Sequence, residues 1–156
     1  MALLRPLHDG DISSVIALNH RNVQLLAPMD EARLRELQSM ADRCDVLDVD
    51  GEFAGFVIAF APGTTYDSEN YRWFSERYDD FYYLDRIVLH EDFRRRGLGG
   101  FVYDELERVA SKHGRMTLEA NHDNEASLAF HHGRGYVDVG ELGAPDHRVV
   151  LMEKLF

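Results

Sequence analysis

The sequence predicts one α/β domain of mixed (α+β) order, a single sheet flanked by helices. Three observations lead there. The 156 residues, 45% apolar and 29% charged, suit one soluble domain with a real core. The apolar period switches repeatedly between that of a strand and that of a helix. The resulting order, β α α β β (α) β α β α β β, interleaves the two types along the whole chain, without a linker or repeat to divide it, so residues 1–156 read as one domain.

Leu3 to Leu7 is a short apolar stretch with the Pro6 of an edge strand. Asp9 or Asp11 can cap a helix over 12–26, with Ile12, Val15, Ile16, Val23 and Leu26 near helical spacing. Asp30 caps a second, with Leu34, Leu37, Met40 and Ala41 on one face. Val46–Val49 and Phe53–Phe60 flank Asp50-Gly51, a hairpin signal. The acids here do not form a calcium loop. With Gly51 at position 6, Val46 and Val57 would fall at ligand positions 1 and 12. Residues 61–80 make a long connection with a short helix after Ser68, read either as a lid or as a packed helix or dimer contact. Phe81–Leu89 is the clearest strand and Leu98–His113 the clearest helix, stopped by Gly114. Met116–Ala120 is a strand, 124–132 a short helix, and 136–142 and 148–155 a closing hairpin.

Composition narrows the function. Seventeen Lys and Arg against 28 Asp and Glu give a net charge of −11, a poor match for phosphate-rich nucleic acid and a better one for a cationic amine. The start, MALLRPLHDG, lacks the basic-then-apolar order of a signal peptide, and Phe53–Ala61 is too short to span a membrane. A cytoplasmic protein without a membrane partner is expected. The one cysteine, Cys44, permits no internal disulfide and reads as a small core residue. His122, His131, His132 and Asp123 lack metal-motif spacing, so no metal is expected.

Chemistry concentrates in Ile87-Val88-Leu89-His90-Glu91-Asp92-Phe93-Arg94-Arg95-Arg96-Gly97-Leu98-Gly99-Gly100. A strand ends, a basic glycine-rich turn follows, and a long helix begins. The first N–H groups of a helix lack internal partners, glycine lets a ligand come close, and the helix dipole favours an anion. The combination predicts a phosphate or pyrophosphate site. The alternative is a plain turn with solvated arginines. Neither the P-loop nor the dinucleotide glycine pattern is matched.

Arg94-Arg95-Arg96-Gly97-Leu98-Gly99 resembles the Arg/Gln-x-x-Gly-x-Gly/Ala motif of the GNAT acetyltransferase superfamily. Downstream, Asn124, Ser127, Phe130 and Gly135-Tyr136 resemble that family's late block, and the two blocks span roughly residues 81–142. The resemblance implies a twisted mixed sheet with helices on both faces and central strands, here 81–89 and 116–120, that splay to admit pantetheine. It implies acetyl-CoA as co-substrate and an amine, of a small molecule or an exposed peptide amino group, as acceptor. By similarity, the N–H groups of Arg95 to Gly100 take the pyrophosphate, helped by Arg94. Ile87, Val88 and Leu89 bond the pantetheine arm, and Leu89 N–H polarises the acetyl carbonyl. Asn124, Ser127 and Phe130 belong to the cofactor-binding set.

The match departs where many relatives place an acidic tyrosine, since Phe130 is followed by His131. His131 as imidazolium could donate the proton to the leaving thiolate, or it could line the cleft while water does so. Tyr136 and Tyr103 are lesser candidates. Asp85 could hold the substrate ammonium or its water, or pair with a neighbouring arginine. Tyr83, on the same strand face, is a poor base at an ordinary phenol pKa near 10. Three functions stay open: N-acetylation by direct attack, a non-catalytic acyl-CoA-binding regulatory module, and transfer to a hydroxyl or of a longer acyl group. A homodimer through the aromatic insertion is a further expectation.

Overall fold

The computed structural model describes residues 1–156. Its elements are β1 (Ala2–Pro6), α1 (Ile12–His20), α2 (Glu31–Met40), β2 (Arg43–Val49), β3 (Glu52–Phe60), α3 (Glu69–Arg77), β4 (Tyr82–Leu89), α4 (Leu98–Ala110), β5 (Arg115–Asn121), α5 (Glu125–Gly133), β6 (Val137–Leu142) and β7 (Val149–Leu155). They form a mixed α/β fold of two compact units, residues 1–60 with 84–106 and residues 61–83 with 107–156.

In the first unit β1, β2 and β3 form an antiparallel meander, with β4 beside β3. The β2–β3 turn has Asp50 and Gly51 both left-handed, at φ 54° and 88°, the twist-matched arrangement that Asp-Gly predicts. β3 buries Ala54 through Phe60 without interruption, and α1 and α2 pack against it. The Asp30 carboxylate accepts the Arg33 N–H at 2.8 Å and starts α2, a cap worth about 1 kcal/mol.

Helix α1 stops at His20, six residues before the periodicity predicts. Asn19 is the cause. It is fully buried, and its Nδ2 donates to the Ala27 carbonyl at 3.1 Å, while Asn22 N–H folds back on the Asn19 carbonyl at 3.0 Å. A buried amide must be satisfied, and satisfying this one turns the chain. Val23, expected on that helix face, lies 40% exposed.

In the second unit the strand order is β4-β5-β7-β6. The parallel β4–β5 ladder comprises two residue pairs, Tyr82 with Met116 and Tyr83 with Thr117. Antiparallel β5–β7 and β6–β7 ladders complete the unit, and α3 and α5 pack on β5. Within residues 61–80, α3 is a packed helix. Ser68 Oγ caps α3 at 3.2 Å, Tyr71 and Phe74 are buried, and the Tyr71 hydroxyl donates to the Ala61 carbonyl at 2.7 Å. Trp73 packs on Gly140, where an added Cβ would come within 2.7 Å of the indole. Glu107 gathers three donors: Arg134 at 2.9 Å, Tyr136 hydroxyl at 2.8 Å and Lys154 at 3.1 Å. Burial works to raise its carboxyl pKa, but these hydrogen bonds outweigh it and hold it below the usual range. No helix is long and apolar enough to cross a membrane, and no cluster of His, Cys, Asp or Glu could hold a metal ion.

Candidate cofactor loop and active site

The end of β4 is set by its neighbour. The β2–β3 register shifts so that Leu47 pairs with Gly55 and Asp48 with Phe53, leaving Ala54 as a bulge. The freed Ala54 carbonyl accepts the His90 N–H at 2.8 Å. Gly55 lets the strands come this close, since a Cβ there would lie 2.3 Å from the Val88 carbonyl oxygen. Ile87, Val88 and Leu89 are thereby fixed as the last residues of a rigid strand. A 3₁₀ turn over Glu91–Phe93, capped by His90 Nδ1 on Asp92 N–H at 3.1 Å, leads into the basic loop.

That loop is contorted. Arg95 is left-handed at φ 64° and Gly97 at 74°. A non-glycine residue there costs about 1 kcal/mol, and such strain gathers at ligand sites. Arg94 Nη2 donates to the Leu89 carbonyl at 3.4 Å and the Arg96 guanidinium lies 5.0 Å from the Phe93 ring centre, while Arg95 engages no protein acceptor. The N–H groups of Gly97, Leu98, Gly99 and Gly100 donate to no protein atom; the first α4 bond is from Phe101 N–H to the Gly97 carbonyl at 3.2 Å. A Cβ built on Gly97 or Gly99 would meet nothing within 4 Å. Glycine inside a helix costs about 1 kcal/mol relative to alanine, and no internal packing at Gly99 requires it. Four unpaired donors, the positive end of a 13-residue helix and open space at the Cβ positions suit a diphosphate.

A family model described as the acetyltransferase (GNAT) family matches residues 14–136. The chain belongs to the GNAT family. Solved structures agree on the fold. Ard1 from Thermoplasma volcanium is 19% identical over 99% of this chain and 97% of that one, with a TM-score of 0.76. NAA60 from Arabidopsis thaliana in complex with acetyl-CoA is 17% identical over 100% of both, at 0.75. Ribosomal-protein-alanine N-acetyltransferase from Brucella melitensis is 20% identical over 99% of both, at 0.69. No curated protein matches the chain.

Other residues suggested by the GNAT resemblance have structural partners of their own. Asn124 Oδ1 accepts the Ser127 N–H at 3.1 Å and caps α5. Phe130 is 40% exposed and meets His131 edge-on. His131 is 6% exposed, and its Nδ1 lies 2.7 Å from the Ser127 carbonyl. That oxygen can only accept, so Nδ1 carries the proton. Burial lowers the imidazole pKa and so disfavours the imidazolium form, against the Ser127 hydrogen bond that favours it. Asp85 takes the ion-pair alternative. Its Oδ2 accepts from Arg86 Nε at 2.8 Å with both side chains buried.

Sequence reasoning missed Glu119. The Tyr83 hydroxyl donates to both its carboxylate oxygens, at 2.9 and 2.7 Å. Tyr83 is buried and Glu119 half-buried. The available signal was a lone acid in the otherwise apolar run Met116–Ala120. Tyr83, dismissed as a base, serves as a donor that keeps a carboxylate in place.

Proposed function

We propose that the protein is an acetyl-CoA-dependent N-acetyltransferase that passes the acetyl group directly to a primary amine, of a small molecule or a peptide, in a ternary complex. The observation that carries the reading is the run Gly97 to Gly100, four consecutive N–H groups with no protein acceptor at the head of α4. Acetyl-CoA supplies an acyl thioester. On this reading the four N–H groups, with Arg95 and Arg96, hold its pyrophosphate, and the Ile87–Leu89 main chain aligns the pantetheine arm. Leu89 N–H donates to the acetyl carbonyl oxygen, where negative charge grows as the amine attacks. An ammonium must lose a proton before its nitrogen can form the C–N bond. The C–S bond then breaks, its electron pair leaves on sulfur, and the extra proton on the new amide nitrogen passes to that thiolate, directly or through water.

A non-catalytic acyl-CoA-binding module remains the second reading, because the position of the family's acidic tyrosine holds His131, whose burial disfavours the charged form. The two separate in a thiol-release assay with acetyl-CoA and a panel of diaminobutane, phenylethylamine, glycinamide and trialanine amide. Acetyl transfer predicts coenzyme A release with at least one amine. Coenzyme A binding by calorimetry with no release from any amine gives the module reading. An acetyl-enzyme trapped without amine contradicts direct attack.

A further inference from the structure

The chain draws its positive charge almost wholly from guanidinium. Of its 17 Lys and Arg residues only Lys112 and Lys154 are lysines, and the loop Arg94-Arg95-Arg96 holds none. The difference matters beside an acyl thioester. A lysine amine that has shed its proton is a nucleophile, whereas an arginine stays charged at any pH a protein meets. All the cations but two are therefore inert towards acetyl-CoA.

The two lysines are held very differently. Lys154 Nζ donates to Glu107 Oε1 at 3.1 Å, against a carboxylate whose side chain is 10% exposed. The same ammonium lies 5.8 Å from the Tyr136 ring centre and 5.6 Å from that of Phe156. An acetyl group on this nitrogen would remove one of the three donors that Glu107 gathers and leave a buried carboxylate short of a partner. Lys112 lies in the 3₁₀ turn Ser111–His113 that follows α4. The turn itself is fixed. Ser111 Oγ donates to the Arg108 carbonyl at 2.7 Å, and His113 Nδ1 lies 2.6 Å from Asp80 Oδ1. Lys112, between them, is exposed and makes no hydrogen bond, ion pair or ring contact.

We infer that Lys112 is the one side chain through which this protein is itself acetylated by acetyl-CoA, and that Lys154 is shielded by its hold on Glu107. In that step the neutral Lys112 Nζ forms a C–N bond to the thioester carbonyl carbon. The C–S bond breaks with its electron pair on sulfur, and the proton displaced from nitrogen passes through water to the thiolate. The inference stands apart from the amine-transfer reading. An accessible amine and the thioester suffice for it, so the amine panel and the test below fail separately.

The test incubates the folded protein with acetyl-CoA at mildly alkaline pH and locates the added acetyl groups by peptide mapping with mass spectrometry. Among side chains the acetyl group should appear on Lys112, with Lys154 at least about tenfold slower, the factor expected for giving up a charge-assisted hydrogen bond. In urea strong enough to unfold the chain the two lysines should react at similar rates, because the shield on Lys154 belongs to the fold. Lys112→Arg, an exposed change that keeps the charge, should take up no side-chain acetyl group over the time that labels the parent. Lys154→Arg should be labelled like the parent. Equal labelling of both lysines in the folded protein overturns the inference, as does a difference between them that persists in urea. So does a Lys112 that stays unmodified while the unfolded chain reacts.

Discussion

Replacing Gly99 with alanine should move stability and cofactor affinity in opposite directions. Gly99 lies in the first turn of α4, and an added Cβ would meet no protein atom within 4 Å. Alanine therefore fits the folded chain without strain. It removes backbone freedom from the unfolded chain, which stabilises the protein by about 0.5–1 kcal/mol. For a chain of this length that is an increase of about 1–4 °C in Tm, readable by scanning calorimetry. The same methyl stands where a diphosphate would approach the N–H groups of Leu98 to Gly100. Displacing the ligand enough to lose one charge-assisted hydrogen bond costs about 1.5–3 kcal/mol, or about 10- to 150-fold in Kd for coenzyme A. Isothermal titration measures it. Gly133→Ala is the control, since Gly133 is also helical with nothing within 4 Å of its Cβ, and it should leave coenzyme A affinity unchanged. A Gly99→Ala protein that binds coenzyme A as tightly as the parent refutes the cradle.

Three further outcomes follow from the packing and the shifted groups. Glu107 has a depressed carboxyl pKa, so its contribution is complete above the unfolded value of about 4.3 and is lost as pH falls through the folded value. Urea titrations of the parent should lose stability in that acid window, and Glu107→Gln should be about 2–3 kcal/mol less stable at neutral pH with a flatter acid limb. His131 also has a lowered pKa, so below about 6.5 the unfolded chain takes up a proton that the folded chain refuses, and stability falls as pH drops from there. His131→Gln should remove that slope, and a parent urea midpoint unchanged between neutral pH and the acid side of this window contradicts that lowering. Gly140→Ala forces a Cβ to 2.7 Å from Trp73, costing about 1–3 kcal/mol and shifting the fluorescence of the chain's single tryptophan; an unaltered spectrum and Tm would show that α3 does not rest on β6.

Much of the fold is legible because its signals are local. Asp50-Gly51 specifies its turn by backbone chirality, Asp30 and Ser68 cap helices within reach of their own side chains, and Gly114 stops α4 with its turn at φ 77°. The basic loop is legible for the same reason, because unpaired N–H groups at a helix start need no distant partner to be inferred. What escaped depends on partners remote in sequence. Asn19 ends α1 through Ala27 and Arg86, which no periodicity encodes. Gly55 looks like a weak point in a strand until Val88 is seen against it. Glu119 acquires meaning from Tyr83, 36 residues away. His131 and Asp85 are candidates by residue type alone, and their partners, the Ser127 carbonyl and the Arg86 guanidinium, carry no sequence signal.

The most direct measurement is an amide NMR titration with coenzyme A on protein labelled with ¹⁵N. The cradle predicts that the N–H resonances of Gly97, Leu98, Gly99 and Gly100 move together downfield and slow in exchange with water as the ligand saturates, while those of Gly10 and Gly133 stay in place. Saturable coenzyme A binding that leaves those four amides unmoved would contradict it, and so would the absence of binding.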